Sequence, residues 1–336
     1  MDLSTTYMGL ELRNPLVASP SPLSNTLDGI KRLADGGVGA IVLFSLFEEQ
    51  LREEAARTIR LVEETAESFP EALDYFPSVV DEDGGPRGYL DLLERAVSAV
   101  DVPVIASLNG VTPEGWTDYA RAMQDAGAAA IELNIYYLPG NAEESGREVE
   151  QRHIDVLERV RAAVTVPVAV KLSPFFSSAG EMALRLDEAG ADALVLFNRF
   201  LQPDIDPEQL TVVPRVNLSA PVLARVSRIW IALLRGRVRA SLAATSGVEV
   251  PADVARYLLA GADVVMTTSA LLRHGPQYAA DLLDGLTAWM ARKRFDDLAR
   301  VRGLLAVPAE ADAAAYERAG YVTAMRAANA GAYSPW

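Results

Sequence analysis

The chain has 336 residues, half of them hydrophobic, with no cysteine and a formal net charge of −15. The absence of cysteine excludes a disulfide framework, a thiolate metal site and a cysteine nucleophile, and fits a reducing cytoplasm. The acidity, unopposed by any basic run, argues against nucleic acid as a partner. No apolar run approaches the roughly 20 residues that cross a membrane, and the N-terminus lacks the basic start and apolar core of a signal peptide. A cytoplasmic protein acting on a small-molecule substrate is expected.

Thr5 to Arg13 alternates like a small strand or hairpin. Asn14-Pro-Leu-Val-Ala-Ser-Pro20 reads as the first core strand, with a helix near Leu27–Ala34. Ala40-Ile-Val-Leu-Phe-Ser45 is a continuous apolar run, the pattern of a strand buried on both faces. Glu48 to Ser68 is charged and helical. Phe69 to Arg87, with three prolines and Gly84-Gly85, reads as a long loop, and Leu90–Val100 as a helix.

A repeating unit then emerges. Ala99-Val-Asp-Val-Pro-Val matches Ala163-Val-Thr-Val-Pro-Val 64 positions later. Ala126-Gly-Ala, Ala189-Gly-Ala and Ala260-Gly-Ala each precede an apolar strand, and Gly36-Gly-Val-Gly-Ala40 is a looser copy. Glycine closes a helix where a left-handed residue is needed, and a parallel strand follows. The strands predicted are Leu16–Ser19, Ala40–Ser45, Val104–Leu108, Ala130–Asn134, Val168–Leu172, Ala193–Asn198, Ala240–Thr245 and Val264–Thr268. Eight strands alternating with helices predict a (β/α)8 TIM barrel rather than an open sheet. The barrel would span about 14–290 of a single domain, 1–336. The surplus falls to the 48–87 insertion, the segment 199–218 and a C-terminal helical extension from 291.

In such a barrel the chemistry lies at the C-terminal ends of the strands. In order, those ends offer Ser19, Ser45, Asn109, Asn134, Lys171, Asn198, Ser246 and Ser269. Lys171 closes an apolar run, so it needs an anion: Glu132 within the barrel or an electron-rich ligand. Asn134 and Asn198 offer amides either to a heterocycle or to the loops around the mouth. Thr245, Ser246 and Gly247 end one strand and Thr267, Thr268 and Ser269 the next, a placement suited to a phosphate. His153 falls in a charged helix and is expected on the surface, and His274 is expected to serve a helix entry. No metal site, Gly-x-Ser-x-Gly elbow or P-loop is present.

Together these residues resemble the class 1 dihydroorotate dehydrogenase family of FMN-dependent barrels. The resemblance rests on Asn14-Pro-Leu-Val-Ala-Ser, Ile131-Glu-Leu-Asn with Pro139-Gly140, Val170-Lys-Leu-Ser-Pro-Phe, Asn198, Ser246-Gly-Val, Leu259-Ala-Gly-Ala and Thr268-Ser-Ala. It implies FMN as cofactor, with Ala18, Ser19 and Ser45 near the flavin and Lys171 at its pyrimidine edge. Asn134 and Asn198 would sit between flavin and substrate. Ser219, Thr245, Ser246, Gly247, Thr268 and Ser269 would hold the phosphate. It also implies a homodimer, and a redox partner protein becomes possible because the chain has no cysteines for an iron–sulfur cluster.

Several positions depart from the family pattern. Phe44 stands where a lysine contacts flavin and substrate, Tyr137 where the catalytic base stands, and Arg199 where a serine follows Asn198. The substrate-binding asparagine after the base has no clear counterpart, Asn141 lying past Pro139-Gly140, and Val216-Asn-Leu-Ser-Ala replaces a glycine-rich loop. A phenol has a pKa of about 10 against about 8.5 for a thiol, so as a base near neutrality it costs about 2 kcal/mol more. Tyr137 is better suited to donating a proton, or Tyr136 and Tyr137 are bulky lid residues. The expected function is an FMN-binding oxidoreductase acting on CH–CH bonds, not a true dihydroorotate dehydrogenase, with Tyr137, Lys171, Asn134 and Asn198 as its catalytic residues. The alternatives are a degenerate flavin-binding or phosphate-ligand-binding barrel and a lyase forming a Schiff base at Lys171.

Overall fold

A plug and a socket organise the molecule. In the computed structural model, which describes residues 1–53, 85–110, 116–199, 203–213 and 217–329, the chain opens with an antiparallel hairpin of β1 (Thr5–Tyr7) and β2 (Leu10–Leu12). Eight strands then close a parallel barrel. They are β3 (Leu16–Ala18), β4 (Ala40–Phe47), β5 (Val104–Gly110), β6 (Ala130–Ile135), β7 (Val168–Leu172), β8 (Ala193–Leu196), β11 (Ser241–Ala244) and β12 (Val264–Thr267). Their order around the barrel follows the chain, and β12 returns to β3. The exposed hairpin β9 (Asp204–Asp206) and β10 (Thr211–Val213) lies between β8 and β11.

Alternation along each strand sends one set of side chains inward and the other toward the helices. The inward set includes Ala40, Ala130, Ala169, Ala193 and Ala243, which pack with Tyr7, Met8 and Leu12 of the hairpin. The alanines leave room that the hairpin's larger side chains fill, so the floor of the barrel is a packed core and not a pore. The outward set joins the helices in a second, larger apolar cluster. Two residues further along the same inward rows, the small apolar side chains give way to Ser107, Glu132 and Lys171, all buried.

The eight strands and their helices match the sequence expectation, as do the N-terminal hairpin and the helices beyond 290. Two local expectations need correction. A helix occupies Gly85–Ala99, so Gly85, Pro86 and Arg87 are helical and not part of a loop. Proline is tolerated in a first helical turn, where its missing N–H would have had no partner. The helix expected over 48–68 is present through 53, and the remainder of it, with most of the expected loop, lies outside the described residues. His153, expected on the surface, is 1% exposed. It shares a face of the Gly146–Ala163 helix with Val149, Val156, Leu157 and Val160, and the charged residues beside it in sequence concealed that stripe. Its Nδ1 lies 2.8 Å from the Val149 carbonyl, which can only accept, so Nδ1 carries the proton.

Candidate active site at the barrel mouth

A pocket opens at the C-terminal ends of the strands, where the last strands meet β3 and β7. Ser19, Lys171, Asn198, Ser219, Thr245, Ser246, Gly247, Thr268 and Ser269 all line it, together with Phe197 and Arg199. Nine of the expected cofactor-binding positions thus face one space. Asn134 borders it through Asn198, whose Nδ2 donates to the Asn134 Oδ1 at 2.6 Å. The two amides do tie the mouth together, and each keeps other polar valences for a ligand. Ala18 and Ser45 do not line the pocket. Ala18 belongs to the outer core, and Ser45 shares a 2.9 Å hydrogen bond with Ser107.

Lys171 stands on β7 with its Nζ 3.2 Å from Glu132 Oε1 on neighbouring β6. Glu132 Oε2 is buried and has no hydrogen-bond partner among the described residues. The lysine is therefore both charge-paired inside the barrel and open to the pocket. Ser19 Oγ, on the pocket wall, is a second buried polar atom without a partner among the described residues. Buried polar groups are normally satisfied, so these two atoms call for a partner that the described residues do not supply.

The other end of the pocket is a cradle. Ser246 and Gly247 are consecutive left-handed residues, with φ of +77° and +68°, a turn that exposes backbone N–H groups. The Tyr257 hydroxyl pins this turn from behind, lying 3.0 Å from the Thr245 carbonyl and 2.7 Å from that of Ser246. A Cβ on Gly247 would sit 2.8 Å from both Ala220 O and Ala224 N, so no side chain fits there. Ser219 Oγ donates to Ser269 Oγ at 2.9 Å and accepts from Gly247 N at 3.1 Å. Thr268 Oγ1 donates to the Ser19 carbonyl, joining β12 to β3 at the rim.

Two arginines flank this cradle, and only one drew attention in the sequence. Arg199 lines the pocket and donates to the Asn217 carbonyl. Arg273 donates to the Ser219 carbonyl at 2.9 Å and pairs with Glu249. Burial, and then the nearby Arg273 guanidinium, hold the pKa of Arg199 below the usual arginine value. Arg199 thus stands beside hydroxyls and backbone donors, a set suited to an anion, while the charge of Arg273 is met by Glu249. The sequence signal for Arg273 is its position four residues after Ser269, one helical turn along the Ser269–His274 helix. His274 ends that helix, and so does not open one; its Nε2 lies 2.8 Å from Glu249 Oε1.

Two of the positions that depart from the family pattern, Phe44 and Tyr137, do not line the pocket, whereas Arg199 does. Phe44 packs edge-on against Tyr89, ring centroids 5.0 Å apart. The Tyr137 hydroxyl donates to Glu144, and Arg152 both pairs with Glu144 at 2.6 Å and lies 4.1 Å over the Tyr137 ring. Glu144 and Arg152 escaped the sequence reading, because nothing in their spacing ties them to Tyr137.

Residues 2–290 match the dihydroorotate dehydrogenase family. The chain belongs to that family. It is 26% identical over 342 residues to the NAD-dependent dihydropyrimidine dehydrogenase subunit PreA of Escherichia coli K12, covering 92% of this chain and 79% of that protein. It is 26% identical over 312 residues to the catalytic subunit of dihydroorotate dehydrogenase B (NAD(+)) from Methanothermobacter thermautotrophicus, covering 90% and 98%. The corresponding subunit from Methanocella arvoryzae is 29% identical over 299 residues, covering 87% and 94%. Membership in the dihydroorotate dehydrogenase family makes the barrel an oxidoreductase scaffold, and the pocket lies where barrel enzymes of this architecture carry their chemistry.

Proposed function

We propose that the chain is an FMN-binding oxidoreductase acting on CH–CH bonds, and that its substrate is not dihydroorotate. The observation that carries this reading is the continuity of one pocket from the Ser219, Gly247, Ser269 and Arg199 cradle to Lys171 and Ser19. The residues fit the cofactor at both ends. The cradle offers hydroxyls, a left-handed turn and the Arg199 guanidinium to a phosphate, in a place no Cβ could occupy. At the other end Lys171 supplies a fixed positive charge, and Ser19 Oγ an unsatisfied polar atom, to an electron-rich ring. When bound, FMN supplies the two-electron chemistry that oxidising or reducing a C–C bond requires. Asn134 and Asn198 orient what lies above it.

Dihydroorotate is set aside because the family's base and lysine are replaced, by Tyr137 and Phe44, and its substrate-binding asparagine has no clear counterpart, Asn141 lying past Pro139-Gly140. A redox partner protein is proposed because the relatives named above are subunits. A homodimer and a cytoplasmic location are proposed with it; no described helix is long and apolar enough to cross a membrane.

A second reading, a flavin-binding barrel without turnover, is favoured by one observation: the Tyr137 hydroxyl is committed to Glu144. The Schiff-base reading gains no support, since the Lys171 amine serves Glu132 as a cationic donor. The deciding measurement is the visible spectrum of the purified protein, followed by titration of the apoprotein with FMN and with riboflavin. Saturable FMN uptake, stronger than riboflavin uptake, is expected. A colourless protein that takes up neither overturns the proposal. A loaded protein reduced by no donor in a broad panel selects the second reading.

A further inference from the structure

At the opposite end of the barrel, a second open pocket is lined by Thr6, Arg235, Arg239, Ser241, Asp263 and Arg302, among others. Asp263 is buried immediately before β12, and one of its oxygens serves two guanidiniums. Arg235 Nη1 lies 2.9 Å and Arg302 Nη1 3.1 Å from the same Oδ1, while Oδ2 accepts from Leu242 N at 2.8 Å. One carboxylate cannot neutralise two arginines. Arg235 Nη1 also donates to the Gly261 carbonyl, and Arg302 Nη1 to Thr5 Oγ1. The Nε and Nη2 groups of both have no protein acceptor among the described residues. Arg239, on the rim, is paired with buried Asp187, and Thr6 Oγ1 is occupied by Glu11. Three arginines, Arg235, Arg239 and Arg302, are thus gathered here in a chain whose net charge is −15, facing Asp263, Asp187 and, on the rim, Glu11.

The Arg235 side chain is also held in place before any ligand arrives. Its stem lies against Gly261, where a Cβ would come within 2.7 Å of Arg235 Cγ, and beside Gly303, where a Cβ would lie 3.5 Å from it. Such packing removes rotamer freedom that an arginine otherwise loses on binding. Arg302 and Gly303 lie beyond residue 290, where the match to the family ends. The C-terminal extension therefore completes the pocket.

We propose that this pocket is a second binding site, separate from the barrel mouth, for the phosphate group of a small anion. A guanidinium offers a planar fork of donors that suits phosphate oxygens, and Arg235 and Arg302 hold such forks side by side. The site is independent of the FMN reading, because none of its residues lines the mouth.

The test is calorimetric titration of the full chain with inorganic phosphate, with malonate as a carboxylate control. Parallel titrations use Arg302→Gln, Arg302→Lys, Arg239→Gln and Arg199→Gln. Loss of charge-assisted hydrogen bonds should weaken binding in Arg302→Gln by about tenfold or more. Arg302→Lys should retain part of the affinity, and Arg199→Gln at the mouth should leave this site unchanged. If Arg302→Gln does not fold, Arg239→Gln, on an exposed side chain, should still weaken binding several-fold. The proposal is overturned if wild type takes up no phosphate into the millimolar range, or if the only uptake disappears in Arg199→Gln and persists in Arg302→Gln and Arg239→Gln. Tighter binding of malonate than of phosphate would also overturn it, by making the site one for carboxylates.

Discussion

Lys171 Nζ and Glu132 Oε1 lie 3.2 Å apart on adjacent strands of the barrel, each side chain less than a tenth exposed. Removing either partner alone leaves the other charge buried without its counterion. Glu132→Gln is expected to lower stability by about 3 kcal/mol. Lys171→Met should do so by a similar amount, and the double variant by less than the sum, because it removes both charges together. Urea denaturation of the four proteins measures the coupling; strict additivity would mean that the pair contributes nothing.

Gly247 occupies a left-handed position that leaves no room for a methyl group. Gly247→Ala is therefore expected to cost more than about 1 kcal/mol and to weaken FMN uptake at the same time, since the cradle must shift to admit the Cβ. Thermal melts with and without FMN would check both; a variant as stable as wild type would show that the turn is not fixed as described.

Salt should separate the two ends of the FMN pocket. If Arg199 and Arg273 hold the phosphate, FMN affinity falls as ionic strength rises, while riboflavin affinity barely changes. Arg199→Gln should lower FMN affinity by about tenfold and leave riboflavin affinity as it was. An FMN isotherm insensitive to both salt and substitution would place the phosphate elsewhere.

Burial of His153 holds its pKa below the ordinary value of 6.5, the Val149 carbonyl opposing and Arg152 reinforcing the shift. In the unfolded chain the imidazole takes up a proton near that ordinary value, whereas in the folded chain it resists. The unfolded state thus binds more protons, and stability falls as pH drops from about 6.5 toward the folded value. His153→Leu should flatten this part of the pH–stability curve, measured by denaturant midpoints between pH 7 and pH 5. An unchanged slope would mean that other groups set the acid response.

Tyr137→Phe removes one hydroxyl and leaves the Arg152–Glu144 pair intact. The expected result is a loss of about 1 kcal/mol of stability with FMN uptake unchanged. Denaturation and flavin titration run in parallel would show it; diminished uptake would mean that Tyr137 reaches the cofactor.

The sequence displayed the barrel because its punctuation is local. Gly127, Gly190 and Gly261 all have positive φ where a helix turns into the next strand, and each sits in the same Ala-Gly-Ala signature. The cradle was legible for the same reason, with its hydroxyls at the ends of two neighbouring strands. What stayed hidden depended on distance or on a single face. Arg199 and Arg273 meet only through the fold: the place of Arg273 one turn after Ser269 points toward the cradle, but nothing in the sequence joins it to Arg199. Asp263 reads as one polar residue before a strand until Arg235 and Arg302 converge on it. His153 is one polar position in an otherwise apolar stripe, and the charged neighbours outvoted it. Tyr137 was noticed for what it replaces, but its partners Glu144 and Arg152 could be found only in three dimensions.

The plug at the floor of the barrel also orders events in time. Tyr7 and Met8 leave the ribosome long before many of the side chains that receive them, which come from strands as late as β12. Thr5 Oγ1 donates to the Asp263 carbonyl, and Met8 N to Ser241 Oγ. The β1–β2 hairpin must therefore wait, incompletely docked, until β11 and β12 have been made. Contacts so distant in sequence are slow to form, and during that interval the exposed hairpin is a natural point of capture for a chaperone or a protease.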